Sequence, residues 1–310
     1  MKTGSTIWMD GKLVPWAKAT THVSAHALHY GSSVFEGIRA YEHPKGTAIF
    51  RLAEHMKRLA SSCELASLEL PYATADLSSA VCETVRVNAF PSCYIRPVVF
   101  RGSETFLVDG RPCPTHVSVI VIDMGTYLGA GALDRGVRVG VSSWRRLAPG
   151  TALPAAKIGG QYVNSQFIAM EAHDRGFDEG IALDATGFVS EGSGENLFLV
   201  HDGAIITPPL VSSILDGITR RTVMTLASEQ GFDVEVTAVP RDMLYLADEM
   251  FFTGTAAEIS PIVEVDGHQV GTGLPGSITQ SLAEAFFDIV KGRAADRHGW
   301  LTHTRKAGER

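Results

Sequence analysis

The sequence predicts an α/β protein of the mixed α+β kind, built from two domains. Helical and strand periodicities intermix along the whole chain, which is typical of this fold class. A chain of 310 residues with 45% hydrophobic content is long enough for two domains. A glycine-rich stretch without a sustained period follows residue 124. We therefore predict a smaller N-terminal domain at 1–124, a linker at 125–136 and a larger C-terminal domain at 137–310.

The N-terminal domain is predicted to combine two amphipathic helices with buried strands. Apolar residues recur at helical spacing near 54–66 and again at about 76–88. The stretches 94–100 (YIRPVVF) and 116–123 (HVSVIVID) are rich in β-branched residues and are bounded by Pro, Gly and Asp. Each helix thus has one buried face, and both stretches read as buried strands.

The C-terminal domain is predicted to begin with a strand and then to mix strands with helices. No glycine pattern of the dinucleotide-binding kind, G-x-G-x-x-G, follows a strand at the start of either domain. Asp202-Gly203 and Asp266-Gly267 are typical hairpin turns. We predict strands at 136–144, 180–184, 196–200, 233–237 and 249–253, with helices at 162–175 and 218–230 that stop at glycines.

Composition excludes several classes of function. The formal net charge of -7, without any run of like charges, argues against a nucleic-acid partner and favours small molecules. The N-terminus lacks a secretion signal, and no apolar stretch is long enough for a membrane span. Four scattered cysteines without a C-x-x-C pair predict reduced thiols and no metal site. We expect a soluble protein of the cytoplasm.

Lys157 is the first candidate for chemistry. It lies in TALPAAKIGGQY (151–162), among small and apolar residues. Burial would disfavour its charged form and make it an amine nucleophile. Gly159 and Gly160 would leave room for a bulky planar partner. The alternative is a partly exposed lysine without a chemical role.

Three further segments offer polar groups next to apolar strands or helix starts. Glu191 and Glu195 lie in a glycine-rich turn, where each needs a donor unless the turn is solvated. LDGITRR (215–221) leads into a helix, and FFTGTAAE (251–258) is a strand that runs into a turn. Both offer backbone N–H groups and a hydroxyl that can hold a phosphate or a carboxylate, or simply cap local structure.

Taken together, the chain resembles the branched-chain amino-acid aminotransferases, which are fold-type IV enzymes dependent on pyridoxal 5'-phosphate (PLP). The resemblance runs through nearly the whole chain, in order and in spacing. Its motifs are HALHYGSSVFEGIRAY (26–41), HMKRL (55–59), YIRP (94–97), AAKIGGQYVNS (155–165), SEGSGENLF (190–198), LDGITR (215–220) and FTGTAAEISPI (252–262).

The resemblance implies transamination of L-leucine, L-isoleucine and L-valine with 2-oxoglutarate, by a homodimer or a larger homo-oligomer. It makes Lys157 the lysine that forms the Schiff base, and Glu191 the partner of the pyridine nitrogen. The other implied cofactor contacts are Arg58, Tyr162, Ile218, Thr219 and Thr255. The implied substrate contacts are Tyr30, Phe35, Tyr94, Arg96, Tyr127, Thr255 and Ala256.

Arg96 is expected to meet the second carboxylate of glutamate, although a structural ion pair is the alternative. Tyr94 and Arg96 are two positions apart on a strand and should therefore share a face.

Two segments depart from the family. The loop 103–114 (SETFLVDGRPCP) carries bulk and charge, and Met124 stands where an aromatic residue is common. Both bear on substrate choice.

Several rival functions remain at the level of sequence. The same fold serves D-amino-acid aminotransferases, amine transaminases and aminodeoxychorismate lyases, and it could accept an aromatic or unusual 2-oxo acid. A catalytically silent binding protein would use the same anion-binding turns, but Lys157 and Glu191 are both present. A cofactor-free aldolase would use the lysine but would leave the phosphate-binding segments unexplained.

Overall fold

The computed structural model of the protein describes residues 2–125, 128–129 and 131–304. The helices in this part of the chain are α1 His26–Tyr30, α2 Leu52–Leu65, α3 Thr74–Asn88, α4 Ala132–Arg135, α5 Tyr162–Asp174, α6 Ile218–Glu229 and α7 Ser277–Val290. Short 3-10 helices cover Trp16–Lys18, Gly159–Gln161, Leu210–Ser212 and Arg241–Tyr245.

The strands of the N-terminal half are β1 Lys2–Thr3, β2 Thr6–Met9, β3 Lys12–Pro15, β4 Ser33–Phe35, β5 Ile38–Tyr41, β6 Ala48–Phe50, β7 Cys93–Arg101 and β8 Thr115–Asp123. Those that follow are β9 Val137–Arg145, β10 Glu179–Leu183, β11 Val189–Gly192, β12 Asn196–His201, β13 Ala204–Thr207, β14 Val234–Val236, β15 Glu249–Gly254, β16 Glu258–Val265, β17 His268–Gln269 and β18 Leu301–His303.

The chain forms two compact units. Unit 1 comprises residues 1–125, 156–161 and 288–310, and unit 2 comprises residues 126–155 and 162–287. The short segment 156–161, which contains Lys157, thus belongs to unit 1, although the chain on either side of it belongs to unit 2. The domain limits predicted from the sequence, 1–124 and 137–310 with a linker between them, remain a prediction.

Unit 1 is built on one sheet of nine strands. The order is β18-β6-β5-β7-β8-β2-β3, with β1 added beside β8 and β4 beside β7. All its pairings are antiparallel. The apolar faces of α2 and α3 supply Met56, Leu59, Leu77 and Val81 to a core that also contains Ile95 of the central strand. Strand β7 therefore contributes directly to the core of unit 1.

Unit 2 is built on a second sheet of nine strands. The order is β11-β10-β9-β16-β15-β12-β13-β14, with β17 beside β16. Pairings of β9 with β10 and β16 and of β13 with β14 are parallel, and the others are antiparallel. Its core gathers apolar side chains of the central strands, including Val139, Leu197 and Phe252. The mixed α/β class predicted from the sequence is confirmed.

The predicted helices and long strands are found within a few residues of their expected limits. Both predicted hairpin turns are also present. Asp202 and Gly203 have φ of 50° and 79°, and Asp266 and Gly267 have φ of 50° and 84°. Positive φ at both turn residues matches the type I′ geometry that two-residue hairpins favour.

Several elements have no counterpart among the predictions, including strand β16, helix α7 and strand β11. Helix α7 carries buried Leu282, Phe286 and Ile289 at spacings of four and three, so its helical period was readable. The segment 190–195 was expected to be a turn, but Val189–Gly192 forms strand β11. In the described part of the chain, no helix combines the length and the apolar character needed to cross a membrane.

Candidate active site

The segment around Lys157 is held on both sides within unit 1. The carbonyl of Lys157 accepts a hydrogen bond from Phe35 N–H (3.0 Å), and its own N–H donates to Ser62 Oγ (3.1 Å). A bridge between Val34 and Ile158 adds this segment to strand β4. The side chain is half-buried, and its Nζ lies 4.9 Å from the centroid of the Phe35 ring. The lysine is therefore positioned through both its backbone and its side chain.

Gly159 and Gly160, which follow Lys157, pack against other residues of the chain. We predicted that they leave room for a planar partner, but they pack against the protein's own chain. A Cβ at Gly159 would overlap Ser33 Oγ, and a Cβ at Gly160 would lie 3.1 Å from the carbonyl oxygen of Gly31. Gly160 thus packs against the backbone of Gly31, whereas the space beside Gly159 is filled by the Ser33 hydroxyl.

Tyr94 and Arg96 share one face of β7, as the strand period predicted. Arg96 Nη2 donates to Tyr94 Oη (2.7 Å), and Arg96 Cζ lies 4.4 Å from the centroid of the Phe35 ring. Phe35 is thus contacted by both Arg96 and Lys157. A Cβ at Gly37 would overlap the Tyr94 hydroxyl, so this hydroxyl packs against the backbone of Gly37. Unit 1 brings a primary amine and a guanidinium to one aromatic ring.

Tyr30 lies against the atypical loop 103–114. Its hydroxyl donates to the carbonyl of Phe106 (2.7 Å), and its ring lies 4.5 Å from that of His26. His26 Nε2 in turn hydrogen-bonds the carbonyl of Leu107 (3.0 Å). Helix α1 therefore fixes the tip of this loop, whose Phe106 and Leu107 side chains are exposed.

Arg58, on α2, pairs with the buried acid Glu36. Its Nε and Nη2 donate to Glu36 Oε1 (2.6 Å) and Oε2 (2.8 Å). His55 Nδ1 also donates to Glu36 Oε2 (2.7 Å). Burial by itself would raise the pKa of Glu36, but Arg58 and then His55 hold that pKa well below its usual range. Glu36 is a fully buried carboxylate between two donors.

In unit 2, Glu191 is buried in β11 and is not part of a solvated turn. Its Oε1 pairs with Arg146 Nη2 (2.8 Å). Its Oε2 accepts hydrogen bonds from Leu215 N–H (3.0 Å) and Asn196 Nδ2 (3.1 Å). Glu195 is also buried, at 4% exposure. The solvated-turn alternative is wrong for both acids, because the turn is folded against its own unit.

Helix α6 begins beside this carboxylate. Ile218 and Thr219 form its first turn and are buried, and the preceding Gly217 makes no side-chain cap to the helix. A Cβ at Gly217 would overlap the side-chain oxygen of Asn196, the residue that also donates to Glu191. Leu215, three residues before the helix, donates its N–H to Glu191, so this 12-residue helix begins close to the acid. The N-terminus of a helix is in general favourable to an anion.

The remaining predicted residues occupy element ends. Thr255 and Ala256 lie in the tight turn that joins β15 to β16, where Gly254 pairs with Glu258. Tyr162 is the first residue of α5. Tyr127 lies outside the described residues.

Glu36, His55, Arg146 and Asn196 were missed by sequence reasoning. An acid inside the apolar run VFEGI was a readable signal for Glu36, since a charge in such a run needs a partner. Arg146, which is 45 positions before Glu191, had no local signal. The pairing of Arg146 with Glu191 became visible only in the fold.

Known proteins resemble this chain over nearly its full length. The model of the amino-transferase class IV family matches residues 33–265. The branched-chain-amino-acid aminotransferase of Salmonella typhimurium is 47% identical over 301 residues, which are 97% of each chain. The crystal structure of the Escherichia coli branched-chain amino acid aminotransferase superposes with a TM-score of 0.96 at 45% identity, covering 97% of this chain and 100% of that one.

A further solved structure is a branched-chain aminotransferase from the thermophilic archaeon Thermoproteus uzoniensis with norvaline, with a TM-score of 0.93 at 43% identity. The match covers 97% of this chain and 100% of that one. Another solved branched-chain amino acid aminotransferase, complexed with N-(5'-phosphopyridoxyl)-L-glutamate, has a TM-score of 0.94 at 44% identity. The match covers 98% of this chain and 100% of that one. Likeness of this extent in both sequence and fold goes beyond a shared architecture. The chain therefore belongs to the amino-transferase class IV family.

Proposed function

We propose that this protein is a PLP-dependent branched-chain-amino-acid aminotransferase. It transfers the amino group of L-leucine, L-isoleucine or L-valine to 2-oxoglutarate and yields branched 2-oxo acids and L-glutamate. Relatives that carry this name and match nearly the whole chain support the proposal. One observation carries it: Lys157 Nζ and the Arg96 guanidinium meet at the Phe35 ring, at 4.9 and 4.4 Å. A reactive amine and a carboxylate-binding cation then serve one small site.

The donor set of the chain fits PLP. The cofactor's aldehyde needs an amine, its phosphate needs cationic and N–H donors, and its pyridine N–H needs a carboxylate. Lys157 is the amine, Arg58 and the first turn of α6 (Ile218, Thr219) are the phosphate donors, and Glu191 is the carboxylate. Tyr162 is assigned to the phenolic oxygen and Thr255 to the phosphate.

The chain's own residues then divide the work of transamination. PLP, when bound, supplies an electron sink for the electron pair left when the α C–H bond breaks. Lys157 Nζ takes the proton from the α-carbon of the amino acid. When 2-oxoglutarate is converted to L-glutamate, it gives a proton to the new α-carbon. Glu191, which Arg146 and Asn196 hold in place, keeps the proton on the pyridine nitrogen.

The substrate side of the site must accept two very different side chains. Tyr94, with the turn at Thr255 and Ala256, is assigned to the α-carboxylate, and Arg96 to the second carboxylate of 2-oxoglutarate and glutamate. Phe35, Tyr30 and Tyr127 are assigned to the aliphatic side chain. The phosphopyridoxyl-glutamate ligand of the solved relative supports glutamate as one of the substrates.

We also propose a homodimer or larger homo-oligomer in the cytoplasm. Unit 1 exposes several large apolar side chains at α1 and in the loop 103–114, including Leu28, Phe106, Leu107 and Val108. Such exposure favours association with another protein surface. All four cysteines are free thiols, and burial raises the pKa of Cys63 and of Cys93 to about 12. Unpaired thiols fit a reducing compartment.

The proposal is tested by the visible spectrum of the purified protein with L-leucine and no oxo acid. We expect a cofactor band that L-leucine converts to the pyridoxamine form and that 2-oxoglutarate restores. D-leucine is the matched control and should leave the band unchanged. A band that L-leucine does not alter would reject the substrate class, and no band after addition of PLP would reject the enzyme.

A further inference from the structure

The buried acid Glu36 uses both carboxylate oxygens on partners of unit 1. It is 0% exposed and accepts from Arg58 Nε (2.6 Å), Arg58 Nη2 (2.8 Å) and His55 Nδ1 (2.7 Å). The side-on pair with Arg58 engages one edge of the guanidinium through two parallel hydrogen bonds. Such a fork fixes the plane of the guanidinium.

His55 contacts Glu36 through one ring nitrogen. Burial lowers the pKa of His55, and the nearby cations Arg58 and Lys157 lower it further against the effect of Glu36. A neutral ring carries one N–H, which Nδ1 donates to Glu36. In the part of the chain that the structure describes, His55 Nε2 is buried without a hydrogen-bond partner. The neutral ring therefore donates to Glu36 Oε2, the oxygen that also accepts from Arg58 Nη2.

Stability alone does not explain this set. A buried charged pair is seldom more stable than apolar residues of the same volume, because desolvation of both charges opposes their attraction. A role in positioning accounts for it better. His55, Arg58 and Ser62 lie at i, i+3 and i+7 on one face of α2, and Ser62 Oγ accepts the N–H of Lys157 (3.1 Å). One helix face thus holds both Arg58 and the Lys157 segment.

We propose that Glu36, itself held by His55, is the positioning residue that orients Arg58 to bind the phosphate of PLP. This inference rests on the proposed function, which assigns Arg58 to that phosphate. Because Glu36 engages Nε and Nη2 of Arg58, the plane of the guanidinium is already fixed when the phosphate binds. Preorganisation of this kind strengthens binding by removing the entropy of ordering the side chain.

The test compares two ligands that differ only in the phosphate. Full-length protein is depleted of cofactor and titrated with PLP and with pyridoxal, and bound ligand is followed by its visible absorbance. The ratio of the two dissociation constants measures the phosphate contribution. For Glu36→Gln we expect this ratio to fall at least about tenfold, since a hydrogen bond to a charged group contributes a factor of that size. Pyridoxal affinity should be unchanged.

A double-mutant cycle shows whether Glu36 acts through Arg58. Arg58→Ala should lower the ratio, and Glu36→Gln should lower it no further in that background. Thr84→Val is the control, because Thr84 is fully buried in the same unit and its hydroxyl donates to the carbonyl of Ala80 in its own helix. Its melting temperature should change and its ratio should not.

The His55 variants give a second test if Glu36→Gln does not fold. His55→Asn can keep a donor near the Nδ1 position and should preserve the ratio, whereas His55→Leu should lower it. A wild-type ratio in Glu36→Gln, or in His55→Leu, would overturn the positioning role. A further fall in the Arg58→Ala background would overturn it as well. Equal affinity of the wild-type protein for PLP and pyridoxal would instead reject the phosphate role of Arg58 in the proposed function.

Discussion

Arg146 Nη2 lies 2.8 Å from Glu191 Oε1, and the two side chains are only 14% and 6% exposed. Removal of the cation would leave a buried carboxylate without its charged partner. We expect Arg146→Gln to lower the free energy of unfolding by about 3–5 kcal/mol, measured by urea denaturation. Arg138→Gln is the matched control, because Arg138 pairs with Glu264 at 54% exposure and should cost about 1 kcal/mol or less. Equal losses would contradict the structural role of the buried pair.

Lys157→Ala should abolish most of the turnover and retain the fold. The variant lacks the amine that moves the proton from the α-carbon, and a positioned acid–base group contributes about 10²–10⁴-fold. Initial rates with L-leucine and 2-oxoglutarate measure the loss, and circular dichroism checks the fold. The exposed Lys18→Ala serves as the control. Substantial residual transamination by Lys157→Ala would mean that the amine is misassigned.

Arg96→Ala should separate the two substrates. Loss of a hydrogen-bonded charge partner costs about 1.5–3 kcal/mol, so we expect kcat/KM for 2-oxoglutarate to fall by about 10- to 100-fold. The value for L-leucine, which lacks a second carboxylate, should fall less. Half-reaction kinetics with each substrate make the comparison. Equal losses would favour a structural role for Arg96.

The acid stability of the protein should depend on His55. Burial lowers the pKa of His55 below its ordinary value of 6.5, so the native ring stays neutral where the unfolded chain binds a proton. The unfolded state then takes up more protons, and the free energy of unfolding falls as the pH falls from about 7 to 5, by up to about 1.4 kcal/mol per pH unit. Denaturation at several pH values should show a shallower slope for His55→Asn than for the wild type. A wild-type slope in His55→Asn would refute the assignment.

Gly159→Ala should destabilise the Lys157 segment in a way that Ser33→Ala relieves. The new Cβ would overlap Ser33 Oγ, whereas the Ser33 Cβ and carbonyl oxygen would stay 3.7 Å away. Overpacking of this kind costs about 1–3 kcal/mol. We expect Gly159→Ala with Ser33→Ala to regain most of the free energy of unfolding that Gly159→Ala loses. Additive effects of the two substitutions would show that the contact does not explain the glycine.

Local pattern was sufficient for the four predicted helices and the seven predicted strands. Helix α2 and strand β7 follow from apolar residues at periods of 3.6 and 2, because each element must bury one face. The same logic placed Tyr94 and Arg96 on one face, and their 2.7 Å hydrogen bond confirms it. Helix α7 carries the same kind of signal, because Leu282 and Phe286 are buried one turn apart on it.

The sequence by itself determined the fold class, the family resemblance and the identity of Lys157, Glu191 and Arg96 as candidates, because motif order and period are local properties of a chain. Only the tertiary structure decided which groups hold them. Glu36 meets Arg58 across 22 positions and Arg146 meets Glu191 across 45, and such pairs form when folding desolvates both charges together. Gly159 and Gly160 likewise pack against Ser33 and Gly31, which lie more than 120 residues earlier in the chain. Burial and close approach are properties of the packed chain, so no local pattern reports them.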